Sequence, residues 1–364
     1  MSFVQTQEVE KTKKTAHHPL SNLLKSIQSK IIGQHQIIEQ MLVCLLTNGH
    51  ALLEGMPGLA KTRSAKAIAD GIEGDFHRIQ FTPDLLPSDL IGTEIYIHEK
   101  SDFVFRKGPL FNNILLADEI NRAPAKVQSA LLEAMEEKQV TVGHKSYPLP
   151  ELYMVIATQN PIEQEGTYNL PEAQLDRFMM HLEVGYPSHE EELMIVELDE
   201  MRQQHNKGAF LPLTSTEEVL AARQAVSHLY ISDNLKKYVV SLTSATRTPG
   251  KYDRELAKWI VHGVSPRATI AIIRCAKTHG RIHIHTNNSV PLFFFFKKLQ
   301  MRRACARSHP PIYIANIISR YVFAHSIEVQ ALTSKRGVMV ARCCRTNFAA
   351  RKLHLIEFAF LIRN

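Results

Sequence analysis

The stretch Gly55-Met56-Pro57-Gly58-Leu59-Ala60-Lys61-Thr62 decides the fold of this chain. The apolar run Ala51-Leu52-Leu53 leads into it, and a helical pattern carrying Ala65, Ile68 and Ala69 follows from Lys61. Strand, glycine-rich turn and helix in that order make a phosphate-binding loop. The turn's N–H groups face one concavity, and the helix N-terminus adds partial positive charge to it. In that reading Lys61 reaches the β- and γ-phosphates of a nucleotide and the Thr62 hydroxyl ligates Mg²⁺. Ala60 stands where the general pattern has glycine, and its methyl group is tolerable if the residue is helical and not at φ > 0. The competing reading is a plain turn with a surface lysine.

Further along, Ile114-Leu115-Leu116-Ala117 runs into Asp118-Glu119. An apolar strand ending in two acids sets both carboxylates at the strand's C-terminal edge, where open α/β sheets bind ligands. There Asp118 can hold the Mg²⁺ shell while Glu119 polarises an attacking water, a division of labour that suits phosphoryl transfer. The apolar run Tyr153–Ala157 leads through Thr158-Gln159 to Asn160-Pro161, so Asn160 can bond a γ-phosphate or orient the water, or simply form a turn. Phe76–Phe81 reads as another buried strand. Strands alternating with helices predict a layered α/β domain. Thr93–Arg106 and Gln139–Tyr147 read as hairpins, the second turning at Gly143-His144. Before the loop, helices are expected from Leu20 and from near Gln34, preceded by a flexible polar arm over residues 1–19. Gly185-Tyr186-Pro187-Ser188 marks a domain boundary, with an acidic helix over Glu190–Met201 and only helices over 214–279.

The 364 residues, 45% hydrophobic and 22% charged, suit a globular chain of about two domains. The longest apolar run, Val290–Phe296, is far short of the ~20 residues that span a bilayer. Met1–Lys14 lacks the apolar region of a secretory signal, and five cysteines without CxxC spacing suit reduced thiols, so a cytoplasmic location is expected. The net charge of +7 is unevenly spread. Residues 280–364 hold 14 Lys and Arg against two acids, Glu328 and Glu357, a balance of +12 that leaves −5 for the rest. A core of that sign offers no surface for tracking nucleic acid.

Taken together, the loop at 55–62, Leu115–Pro124, Ala157–Tyr168 and Leu170–Phe178 resemble the MoxR-type AAA+ ATPases over about residues 20–279. The resemblance implies an AAA+ P-loop three-layer αβα domain with a parallel sheet over 20–187, then a small α-helical lid over 188–279. It implies ATP and Mg²⁺ as cofactors, with Gly55, Met56, Pro57, Gly58, Leu59, Ala60, Lys61 and Thr62 around the phosphates and Thr62 and Asp118 at the metal. Ile31, Ile32, Gly33 and Gln34 line the adenine pocket in such proteins, Asn160 resembles the γ-phosphate sensor, and Arg177 resembles the arginine finger given to a neighbouring subunit. Taken alone, Arg177 reads as a salt-bridge partner of Asp176 or Glu172. Arg267 resembles the lid's sensor arginine; Ser265 suits an N-cap and Pro266 the first helical position before it. Arg122 faces a subunit interface in this picture, its role open, and the two hairpins face the ring pore or a substrate. The implied whole is a ring, hexameric, that remodels client proteins with adaptors such as von Willebrand factor A domain proteins.

The C-terminus departs from that pattern. After about Thr278 acids nearly vanish, and Phe293–Phe296 followed by Lys297-Lys298 is what homopolymer codons give in a shifted reading frame. The lid is therefore expected to be incomplete or aberrant, with 280–364 a basic non-family tail. The alternative this raises is a nucleotide-binding module with impaired hydrolysis and a tail that binds nucleic acid.

Overall fold

The computed structural model describes residues 17–28, 31–161, 166–204, 212–252, 254–260 and 262–283. The expectations for the basic tail therefore lie outside the described residues, as does most of the N-terminal arm. His17-His18-Pro19, expected in that arm, instead open helix α1 (His17–Gln28), since proline is compatible with a first helical turn.

Helix α2 (His35–Leu46) precedes β1 (Ala51–Gly55), the loop, and α3 (Lys61–Asp70). Then come β2 (Phe76–Gln80), α4 (Pro87–Ile91), β3 (Gly92–Ile97), β4 (Asp102–Lys107) and β5 (Ile114–Asp118). Helix α5 (Ala125–Glu137), β6 (Gln139–Val142), β7 (Lys145–Pro148), β8 (Met154–Gln159), α6 (Glu172–Leu175), β9 (Met180–Val184) and α7 (His189–Gln204) follow. Four strands and β1 form one parallel sheet in the order β2-β5-β8-β1-β9. Helices α2 and α3 pack on it, α2 against β9 and α3 against β5 and β8.

Burial explains which strands lie at the centre. All five residues of β5 are buried, and so are all of β8 but Gln159, as expected of strands covered on both faces. Strand β2, read as buried, is an edge strand in which His77, Arg78 and Gln80 are exposed and Ile79 is buried. Its polar residues need no second neighbour, because one side of the ladder faces away from the sheet. The core gathers Leu52, Phe81, Leu115, Leu131, Tyr153, Val155 and Phe178. Burying any one such side chain contributes about 1.5–3 kcal/mol.

Both expected hairpins form. β3 pairs antiparallel with β4, Ile95 opposite Val104, and β6 with β7, Val140 opposite Tyr147. Gly143 turns the second at φ +58°, a conformation that costs glycine nothing. At Gly92, φ +106°, a Cβ would collide with the Arg106 carbonyl.

The chain divides into two compact units, Met1–Gln224 and Ala225–Asn364. The division falls inside α8 (Thr216–Ser227), later than the turn at Gly185–Ser188. The second unit contains α9 (Asp233–Arg247), α10 (Arg254–Trp259) and α11 (Pro266–His283). Ser232 caps α9 by accepting from Leu235 N–H, and Thr269 Oγ1 donates to Thr243 Oγ1 at 3.0 Å between α11 and α9. Helix α11 continues to His283, beyond the point near 279 where family-like sequence was expected to stop.

Candidate functional site

The C-terminal ends of β1, β5 and β8 lie side by side, so Gly55, Asp118 and Gln159 share one edge of the sheet. After β1 the chain crosses to β2 beyond β8 and β5, while β9 sits on the other side. Such a reversal opens a crevice at the strand ends. Gly55 is required there because a Cβ would come within 2.7 Å of the Val184 carbonyl oxygen on β9.

The loop turns with Gly58 at φ +84° and Ala60 at φ +56°, ψ 23°. Ala60 is thus left-handed, contrary to the expectation that its methyl group would sit in a helical conformation. Its carbonyl accepts the first bond of α3, from Ser64 N–H at 2.9 Å, so closing that helix onto the turn fixes the backbone. A left-handed L-residue costs about 1–2 kcal/mol, strain of a kind found at functional sites. Lys61 extends across the loop, its ammonium donating to the Gly55 carbonyl and, at 3.3 Å, to that of Gln159.

Asp118, 6% exposed, is the hub. Its Oδ1 accepts from Thr158 Oγ1 at 2.5 Å, and its Oδ2 accepts from Thr62 Oγ1 at 3.1 Å. Arg78 Nε and Nη2 also donate to Oδ2, at 3.1 and 2.6 Å. Glu119 takes φ +58° and is anchored by its N–H to Thr158 Oγ1 at 2.9 Å. Its Oε2 accepts from Gln80 Nε2 at 2.6 Å and pairs with Arg122 Nε at 3.1 Å. The open question of Arg122 thus has a partial answer: it reaches the second acid of its own chain.

The sequence reading missed Arg78, Gln80 and Thr158. Only the register, which sets Gln80 opposite Asp118, brings β2 to the site.

Asn160 is buried directly after β8. Arg177, behind α6, makes an ion pair of 2.8 Å with Glu136 in the last turn of α5. Arg267 is exposed in the first turn of α11, in the second unit, where Ser265 O accepts from Ala268 N–H at 3.1 Å. A cavity of about 360 Å³ opens beside the loop, with Ile31, Ile32, Gly58, Leu59, Pro187 and Ile195 among its lining residues. Gly33 takes φ +77° between Ile32 and α2. Gln34, Arg63, Asp199 and Glu200 also line it, so apolar and polar groups face one space beside the turn, as in many small-molecule sites.

The donors also fit a hard divalent cation. Among the described residues no cluster of three or more His, Cys, Asp or Glu could hold a metal. One hydroxyl and one carboxylate, Thr62 and Asp118, suit Mg²⁺, which completes its shell with water and phosphate.

Parallel sheet, left-handed loop, lysine and paired acids define a P-loop ATPase of the AAA+ class. The model of the ATPase family associated with various cellular activities (AAA) matches residues 50–180. Chaperone MoxR1 of Mycobacterium tuberculosis is 45% identical over 266 residues, 72% of this chain and 68% of that one. The uncharacterized protein YeaC of Bacillus subtilis is 42% identical over 275 residues, 75% and 82% of the two chains. A solved structure of a candidate ATPase from Cytophaga hutchinsonii superposes with a TM-score of 0.78 at 41% identity, over 87% of this chain and 98% of that one. The chain belongs to the MoxR-type AAA+ ATPases, a family of chaperone-like nucleotide-binding proteins.

Proposed function

We propose that this protein hydrolyses ATP with Mg²⁺ and works in the cytoplasm as a hexameric ring that remodels client proteins. The observation that carries the reading is the convergence of Thr62 and Glu119 on Asp118 and Thr158 beside the left-handed loop. Loop N–H groups and Lys61 would bind the phosphates, Lys61 exchanging its two carbonyl partners for phosphate oxygens. Thr62 and Asp118 would hold Mg²⁺, which supplies charge neutralisation at the transferring phosphoryl group. Glu119 would accept the proton of the attacking water once Gln80 and Arg122 release it, and Asn160 would orient that water. Arg177 would leave Glu136 to neutralise charge in the adjoining subunit's site, and Arg267 would act on the nucleotide of its own chain. Partners in this reading are further copies of the chain and a client or adaptor protein, such as one with a von Willebrand factor A domain. The relative from Mycobacterium tuberculosis, whose name describes it as a chaperone, supports this reading.

The test compares two variants. Glu119→Gln keeps the shape of the side chain but not its basicity, so ATP should stay bound while turnover falls by about 10²–10⁴-fold. Lys61→Ala should weaken ATP binding itself. Wild-type turnover by Glu119→Gln would remove Glu119 from the chemistry.

A further inference from the structure

Arg78 is a long cation bonded to Asp118, and the proposed function gives it no task. Its Nε and Nη2 both donate to Oδ2, the oxygen that also accepts from Thr62. The two side chains are unequally placed: that of Asp118 is 9% exposed and that of Arg78 51%. We propose that Arg78 is the resting counter-cation of Asp118 and competes there with the divalent ion of the nucleotide complex.

The argument is one of donor positions. A carboxylate this buried needs donors on both oxygens. Thr158 serves Oδ1, while Oδ2 already accepts three N–H or O–H groups. A cation, or a water bound to one, has to take one of those places. Thr62 and Thr158 are short side chains fixed on α3 and β8, whereas Arg78 is long, half-exposed and on an edge strand. Arg78 is therefore the group that yields.

Its departure reaches the second acid as well. Arg78 Nη2 also donates to Gln80 Oε1 at 3.3 Å, and Gln80 Nε2 donates to Glu119 Oε2. The chain Asp118–Arg78–Gln80–Glu119 ties cation occupancy at one carboxylate to restraint of the other. In the metal-free state Arg78 thus keeps the buried acid paired and Glu119 held.

This inference rests on the ATPase reading, and the experiment separates the two. Binding of a fluorescent, non-hydrolysable ATP analogue to the full chain is titrated against Mg²⁺, beginning in EDTA. Removing a charge-assisted forked bond in Arg78→Gln should lower the half-saturating Mg²⁺ concentration by about tenfold, with no loss of analogue affinity in EDTA. Arg78→Lys keeps a point charge without the fork and should lower it by about threefold. Should Arg78→Gln fail to fold, as judged by circular dichroism, the lysine variant carries the test alone. An unshifted or raised midpoint in a folded variant overturns the proposal. Weakened binding in EDTA also overturns it, because Arg78 would then be a phosphate ligand. A wild-type chain that binds no analogue, with or without Mg²⁺, overturns the ATPase reading and this one with it.

Discussion

His50 lies just before β1, wholly buried, and its protonation should cost the fold about 3 kcal/mol. The ring is fixed at both nitrogens. Nδ1 accepts from Val155 N–H on β8 at 2.9 Å, which leaves the proton on Nε2 to face the Met135 carbonyl at 3.4 Å. A second proton would have to sit on Nδ1, where it would meet the Val155 N–H head on. Burial is the main cause that pushes the pKa down from 6.5 to about 4, with Lys138 and Arg223 adding to it and the Met135 bond opposing it. The depressed value means that the unfolded chain binds this proton more readily than the folded one. The stability tied to neutral His50 is thus fully present above the unfolded pKa and is lost as pH falls from about 6.5 to about 4. At about 1.4 kcal/mol per unit the shift amounts to about 3 kcal/mol, of which about 2 kcal/mol would be lost by about pH 4.5. His50→Gln isolates the effect, because an amide can accept from Val155 and donate to Met135 without titrating. Urea unfolding followed by far-UV circular dichroism, at about pH 7 and about pH 4.5, gives the two differences. The wild type should lose about 2 kcal/mol more than the variant over that interval. Parallel losses, or a His50 resonance that titrates near 6.5 in the folded protein, would refute the reasoning.

Two further outcomes follow from the site. Arg177→Ala should cut turnover by about 10³–10⁵-fold, and mixing it with Glu119→Gln subunits should restore part of it. Failure of mixtures shown to assemble would assign the Glu136 pair a structural role within one subunit. Ala60→Gly should stabilise the nucleotide-free protein by about 0.5–1 kcal/mol, the relief of the left-handed strain less the added entropy of an unfolded glycine. A lower midpoint in thermal unfolding would show that the Ala60 methyl group makes a contact the loop needs.

The central strands were legible because burial on both faces writes itself as continuous apolar runs, as in Ile114–Ala117 and Tyr153–Ala157. Strand β9, Met180-His181-Leu182-Glu183-Val184, was not read. It is an edge strand that buries alternate residues, a pattern five residues long and easily lost after the apolar Phe178-Met179. The same property hid Arg78 and Gln80. On β2 they look like the solvated residues of an exposed strand, and nothing local relates them to acids about forty positions away. Parallel pairing with β5 makes that relation, and it is long-range by construction.

Backbone conformation was legible only where glycine announced it. Gly58 and Gly143 stand at positive φ, as a residue without Cβ allows, and both were read as turns. Ala60 and Glu119 take the same left-handed region with a Cβ attached, and composition gives no sign of it. The first turn of α3 holds Ala60 through the Ser64 N–H on its carbonyl, and a long-range bond holds Glu119 through its N–H on Thr158. Strain of about 1–2 kcal/mol at each persists because the surrounding elements over-determine it. The rule that a side chain avoids positive φ therefore fails at the two positions on either side of the proposed phosphate and water sites. One shapes the turn proposed to bind phosphate, and the other sets the carboxylate at the end of β5. Asn48, Ser101 and Lys138 take the same region in turns and at a helix end, so the local rule yields wherever the assembled backbone demands it.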